Sequence, residues 1–156
     1  MIDGQQRLTT VTIFVRALLN VLHSRLDKEP EIVRQVNFKK KEKIYFKDDG
    51  VIKLRPVDYD RGCYDTLIVE NKDEYSISTP SQKRMRDAKE YFTKELSLIQ
   101  TKELIKIFSI LEEAQVNCIE LEGKKDSALM FELQNNRGKE LSDLEKLKSF
   151  LCINSM

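Results

Sequence analysis

From Leu8 to Leu26 apolar residues return every third or fourth position: Leu8, Val11, Val15, Leu18, Leu22 and Leu26. That spacing matches the turn of an α-helix, and it predicts one long helix over residues 4–26. Ile13, Phe14, Ala17 and Val21 widen the apolar face, as in a central helix that is well buried. Asp3 stands where it can cap the first turn, and Gln6 three residues later completes a capping-box pattern.

The rest of the chain reads as helix-dominated. Residues 28–43 are polar, with Pro30 as a breaker and the lysines Lys39, Lys40, Lys41 and Lys43, and they read as a solvated loop or helix end. Ile44–Lys47 and Val51–Leu54 flank Asp48-Asp49-Gly50, and Asp-Gly between two β-prone runs predicts a hairpin. Pro56 ends its second strand. A short helix is expected over 60–70 around Tyr64, Leu67 and Ile68, then a polar loop over 71–79. Pro80 and Ser81 open a helix to about residue 99, with Met85, Ala88, Phe92, Leu96 and Ile99 inward. Thr101 starts another to about Glu113, with Leu104, Ile107, Phe108 and Leu111 inward. Residues 115–122 read as a strand, 127–134 as a short helix, and a last helix follows Ser142. The expected class is mainly α with a small β component.

Composition excludes more than it assigns. Lys and Arg total 27 and Asp and Glu 26 in 156 residues, for a net charge of +1. That balance gives no global electrostatic case for nucleic-acid binding. Cys63, Cys118 and Cys152 are scattered, with no CxxC and one histidine, His23, so neither a zinc site nor a disulfide framework is expected. The plain reading is buried, reduced thiols in a cytoplasmic protein. No run of about eighteen apolar residues marks a membrane span, and no leader precedes the first motif. His23 is expected on the helix surface or in packing.

Two polar motifs carry the chemistry. The first is Asp3-Gly4-Gln5-Gln6-Arg7. Gly4 allows close approach to the backbone, and the helix start offers unpaired amides and partial positive charge. Arg7 presents a planar fork suited to phosphate, Gln5 and Gln6 add amides, and Thr9 and Thr10 add hydroxyls. Asp3 can hold a magnesium ion or orient water. The same residues also fit a plainer arrangement, with Asp3 and Gln6 capping the helix and Arg7 in a salt bridge. The second motif runs from Phe131 to Ser142 and crowds Asn135, Arg137 and Lys139 onto a turn ending at Gly138; it too fits an ordinary helix junction.

Taken together, DGQQRLTT and the later FE-x-x-N-x-RG-x-x-LS-x-x-E-x-x-K pattern resemble the GmrSD-type N-terminal domain family of restriction and phage-defence proteins. The Lys53-Leu54-Arg55-Pro56 segment before Asp58, and Ser81 opening a helix that holds Tyr91-Phe92, also match. The resemblance spans essentially the whole chain. It implies a ParB/sulfiredoxin-like part followed by a helical bundle, forming one domain over 1–156 that lacks its N-terminal strands. It implies binding or hydrolysis of a nucleoside triphosphate, with magnesium, that regulates DNA cleavage elsewhere. The implied catalytic positions are Asp3, Gln6 and Arg7. The implied nucleotide contacts are Gly4, Gln5, Arg7, Thr9, Asn135, Arg137 and Gly138, and the implied metal ligand is Asp3. Partners would be the nucleotide, DNA through a full-length protein or partner nuclease, and a second copy of the chain, but no membrane.

The departures are mild: Gln134 and Lys146 stand where relatives often carry apolar residues. A His-Asn-His nuclease, carried by many relatives, is absent from this sequence, which has a single histidine. Two rival readings remain. One is a ParB-like nucleic-acid-binding module using Lys39, Lys40, Lys41, Lys43, Lys53 and Arg55, with Tyr45 and Phe46 as stacking partners. The other is an inactive fragment.

Overall fold

A computed structural model describes residues 3–115 of the chain, excluding the side chains of Asp3, Gly4 and Ile32. The chain's contacts divide it after Ala114, and the architecture below is that of the first unit. The elements in order are α1 (Asp3–Ser24), α2 (Pro30–Val33), α3 (Phe38–Tyr45), β1 (Lys47–Asp48), β2 (Val51–Ile52), α4 (Asp58–Tyr64), a π-helical turn (Asp65–Val69), α5 (Pro80–Ser97) and α6 (Thr101–Glu113). The unit is mainly helical, and the two strands form an antiparallel ribbon pairing Lys47 with Ile52 and Asp48 with Val51.

The long first helix is present. It packs chiefly against α5, with α3, α6 and the π-helical turn also touching it. Ile13, Val15, Ala17, Leu18, Leu19, Val21 and Leu22 are buried along it. Each of the valine, leucine and isoleucine side chains removed from water contributes roughly 1.5–3 kcal/mol before the entropy of ordering it is subtracted. Leu8 and Val11, expected inward, are instead 47% and 43% exposed. Periodicity identifies a face but not how far along the helix its partners reach. Over the first turns the face turned inward is instead that of Gln5, Thr9 and Thr12: Gln5 and Thr9 are half-buried and Thr12 is buried.

The lysine run, expected as a solvated loop or helix end, lies within a helix, α3. Asn37 caps α3 by accepting from the Lys40 amide at 3.0 Å, which satisfies one of the amides a helix start leaves open. As a result Ile44 and Tyr45, expected to begin a strand, close the helix, and only Lys47 and Asp48 pair as β1. The hairpin turn is where Asp-Gly places it: Asp49 has φ 46° and Gly50 φ 85°. Two successive positive φ values are what a two-residue loop needs to match strand twist. The Lys53 amide donates to Phe46 O at 2.9 Å and extends the ribbon by one bond.

The expected helix over 60–70 is α4 running into a π-helical turn, in which the Glu70 amide reaches Asp65 O at 2.8 Å. Periodicity gives no signal for that widening. The loop at 71–79 and α6 from Thr101 to Glu113 match expectation. Thr79 caps α5 by accepting from the Gln82 amide at 3.2 Å, with Pro80 at its first position, where a missing N–H costs nothing. Met85 and Leu96 are buried on α5, and Leu104 and Phe108 on α6; Ala88, Phe92, Ile99, Ile107 and Leu111 are half-buried against them. Among the described residues no helix is long and apolar enough to cross a membrane.

Candidate functional site

Asp3 to Arg7 form the first turns of α1, so the motif stands at the helix start, as expected, with Asp3 inside the helix as its first residue. Gly4 is helical; it leaves the backbone bare on one side of the first turn rather than making a left-handed bend. Gln6 and Arg7 are exposed and Gln5 is half-buried. The Gln5 side-chain amide donates to the Arg55 carbonyl at 2.8 Å, tying the start of α1 to the Lys53–Pro56 segment after the hairpin. Arg55 is itself exposed.

Three threonines follow the motif, and each spends its hydroxyl proton on the preceding turn. Thr9 donates to Gln5 O at 2.8 Å, Thr10 to Gln6 O at 2.9 Å and Thr12 to Leu8 O at 2.8 Å. Such back-bonding is common for threonine within a helix. In this geometry Thr9 can offer a ligand only its oxygen lone pairs.

Asn135, Arg137 and Gly138, with the expected strand from 115, the helix over 127–134 and the helix after Ser142, fall at or beyond the end of the described residues. Cys118 and Cys152 lie beyond it too. Among the described residues no group of three or more His, Cys, Asp or Glu side chains could hold a metal ion.

A concavity lies far from the motif. An open groove of about 520 Å³ between α1 and α5 is lined by Asn20, Ser24, Arg25, Lys28, Thr93 and Ser97 among others. Ser24 lies seventeen residues past Arg7 on the same helix, roughly 25 Å at 1.5 Å per residue. The hydroxyls of Ser24, Thr93 and Ser97 donate to Val21 O, Lys89 O and Lys94 O. Arg25 is bonded to Ser97 O, Ile99 O and Thr101 Oγ1. The groove wall thus satisfies much of its own polarity, and Arg25 pins the end of α1 to the α5–α6 junction.

Part of the lysine surface is paired. Lys41 bonds to Glu112 and lies 5.1 Å from the centre of the Phe108 ring. Lys43 is 3.3 Å from Asp48 and 3.8 Å from Asp49, and Lys53 is 3.9 Å from Asp48. Phe46, expected as a stacking partner for bases, is 1% exposed, so its face is closed to any base. Tyr45 packs against Phe108 at 6.1 Å between ring centres; burial, then the Glu112 charge, raises its pKa. His23 is exposed and meets Phe38 edge-on at 5.3 Å, a surface packing role as expected.

Periodicity concealed two buried polar centres. Arg16, in the apolar stretch of α1, is 3% exposed. It donates to both Glu42 oxygens, and to Ile68 O at 2.6 Å and Val69 O at 3.1 Å, with its guanidinium 3.7 Å from the centre of the Phe46 ring. A charged residue amid valines and leucines was the available signal. Asp60, buried, accepts from Ser81 Oγ at 2.5 Å and Thr79 Oγ1 at 3.5 Å, and the Gln82 side-chain amide donates to Tyr59 O at 2.9 Å. These bonds fix α4 to the start of α5.

Comparison with known proteins bears on the whole chain. No curated protein and no solved structure matches it. The family model described as GmrSD restriction endonuclease, N-terminal domain, matches residues 1–152, a span that contains the DGQQR helix start, the Gln5–Arg55 junction and the later Asn135–Arg137 motif. The chain therefore belongs to the GmrSD restriction endonuclease N-terminal domain family.

Proposed function

We propose that this chain is a nucleotide-binding, NTP-hydrolysing regulatory module of a DNA restriction or phage-defence protein, and not itself the nuclease. One observation carries the reading: the DGQQR residues occupy the first two turns of a 22-residue helix with Gln6 and Arg7 exposed. That end of a helix attracts anions through open amides and the helix dipole. Arg7 adds a fork for phosphate oxygens. Gln6 would orient water, and Asn135, Arg137 and Gly138 would complete the nucleotide contacts.

A magnesium ion would be held by Asp3 together with the nucleotide's own phosphates. It binds through one or two carboxylates plus substrate phosphates and needs no all-protein cage, so Asp3 alone can supply the protein's share. When bound, the metal would neutralise charge on the phosphates. The ParB/sulfiredoxin-like architecture belongs to this same reading, as do DNA reached through a full-length protein or partner nuclease and assembly with a second copy.

The test is calorimetric titration of the chain with each Mg-NTP. Wild type should bind weakly. Arg7→Ala should weaken binding about tenfold or more, as expected for a lost charge-assisted contact. Equal binding by the two proteins would overturn the assignment.

A further inference from the structure

We infer that residues 71–79 form a strap from the π-helical turn to α5, latched by the Lys89–Asp73 ion pair and released as a unit when that pair is screened or broken. The Lys89 side chain, on α5, is 8% exposed and that of Asp73 is 90% exposed. The ammonium donates to Asp73 Oδ1 at 2.8 Å, and among the described residues Asp73 is its one hydrogen-bond partner. The latch is therefore lopsided, a buried lysine stem held by a carboxylate that stands in water. An ion pair open to solvent on one side is weak and yields to salt. The nearest cation in sequence does not compete for Asp73: Lys72 is paired with Glu70 at 2.7 Å.

The strap has little else to hold its middle. Residues 71–78 form neither helix nor strand, and among the described residues the amides of 73–77 bond to no backbone carbonyl. What fixes the segment lies at its ends. Asn71, at φ 54°, exchanges side-chain amide bonds with Asn20 of α1 at 2.8 and 3.0 Å, and Lys72 N donates to Thr66 O at 2.9 Å. At the far end Ser78 N and Oγ donate to Gln82 Oε1 at 2.9 and 3.0 Å. Between them Tyr75 and Ile77 are half-buried while Glu74 and Ser76 are exposed, and the Tyr75 hydroxyl lies 3.1 Å from where a Cβ on Gly62 would stand. A segment with fixed ends and few backbone bonds between them opens by itself, without the rest of the fold. Opening parts Tyr75 from Gly62 of α4 and bares the Lys89 ammonium, which an incoming anion then meets in place of Asp73.

NMR relaxation of the full chain tests the latch, with Asp73→Asn and Lys89→Met as single and double variants. In wild type at low salt the amides of 73–77 should be as ordered as those of α5, with an order parameter of about 0.85, and Tyr75 ring protons should cross-relax with Gly62. In each single variant the order parameters of 73–77 should fall below about 0.6 and the Tyr75–Gly62 signal should fade, while α1 and α5 stay unchanged. The double variant should be no looser than either single one, because both act through one pair. Sodium chloride at about 1 M should loosen the wild-type strap and leave that of Lys89→Met as it was. A strap already below about 0.6 in wild type, or one that stays ordered in both single variants, would overturn the latch. Loosening that spreads equally through α4 and α5 would overturn the strap as a separate unit.

Discussion

Arg16 of α1 and Glu42 of α3 meet in a two-pronged ion pair, Nη1 to Oε1 at 2.5 Å and Nη2 to Oε2 at 2.9 Å, with the arginine side chain 3% exposed and the glutamate 43%. The pair is asymmetric. Arg16 is cut off from water, bonded to two carbonyls at the end of the π-helical turn and stacked on Phe46, whereas Glu42 keeps a hydrated side. One side chain therefore joins α1, α3 and the π-helical turn, whose last carbonyls it satisfies.

That asymmetry predicts unequal mutations. Arg16→Met leaves the Ile68 and Val69 carbonyls without this donor and should destabilise the fold by about 3 kcal/mol. Glu42→Gln keeps an acceptor and a solvated edge and should cost only about 1 kcal/mol. Urea unfolding of the two variants measures both; equal losses would refute the view of Arg16 as the hub.

The hairpin turn is a conformational matter. Gly50 sits at φ 85° with nothing within 4 Å of where a Cβ would be, so Gly50→Ala should cost roughly 1 kcal/mol from backbone strain alone. Asp49→Asn, at φ 46°, should be neutral within about 0.5 kcal/mol, since Asn suits the same turn. A large loss for Asp49→Asn would mean that the Asp49 charge matters beyond the turn.

Alkaline pH should loosen the fold. Burial, reinforced by the Asp60 charge and opposed by Arg86, pushes the Cys63 thiol from 9.0 to about 11. Burial likewise pushes the Tyr64 hydroxyl from 10.0 to about 12, with Asp65 raising it further and Thr12 and Arg16 opposing. Both folded values are raised, so the fold holds these protons more tightly than the unfolded chain does. The contribution is whole below pH 9 and fades as pH climbs through 9 to 11 for Cys63, and through 10 to 12 for Tyr64. Melting temperature against pH should fall over that range, and Cys63→Ala should remove the lower part of the fall.

The same burial predicts a silent thiol. Cys63 is 0% exposed, and the thiolate is the reactive form. Iodoacetamide at pH 8 should leave the Cys63 peptide unmodified in native protein and label it in urea, as mass spectrometry of the digest would show. Native labelling would place Cys63 in an opening region.

The chain alone should cut no DNA. Plasmid, modified or unmodified, incubated with the purified protein, magnesium or manganese and each NTP should remain intact. Cleavage that co-purifies with the chain and is lost in Arg7→Ala would reveal a nuclease site where a regulatory one is proposed.

What the sequence determined by itself was local. The three-to-four spacing, Pro80 and Thr101 place α1, α5 and α6, and Asp49-Gly50 places the hairpin turn, because each depends on neighbours a few residues away. The DGQQR helix start and the family were legible for the same reason: a motif is a local pattern. Tertiary structure decided the rest. Whether Leu8 and Val11 are covered depends on which face of the first turns of α1 meets the rest of the unit, here that of Gln5, Thr9 and Thr12, which spacing along α1 does not encode. Lys39–Lys43 read as a solvated loop or helix end because charge suggests solvent, and the Asn37 cap and the Lys41 contacts with Glu112 and Phe108 decide for helix. The Arg16–Glu42 pair spans 26 residues, and the Gln5–Arg55 bond 50. No window along one helix contains both partners of either, and only the packing of separate elements brings them within bonding distance.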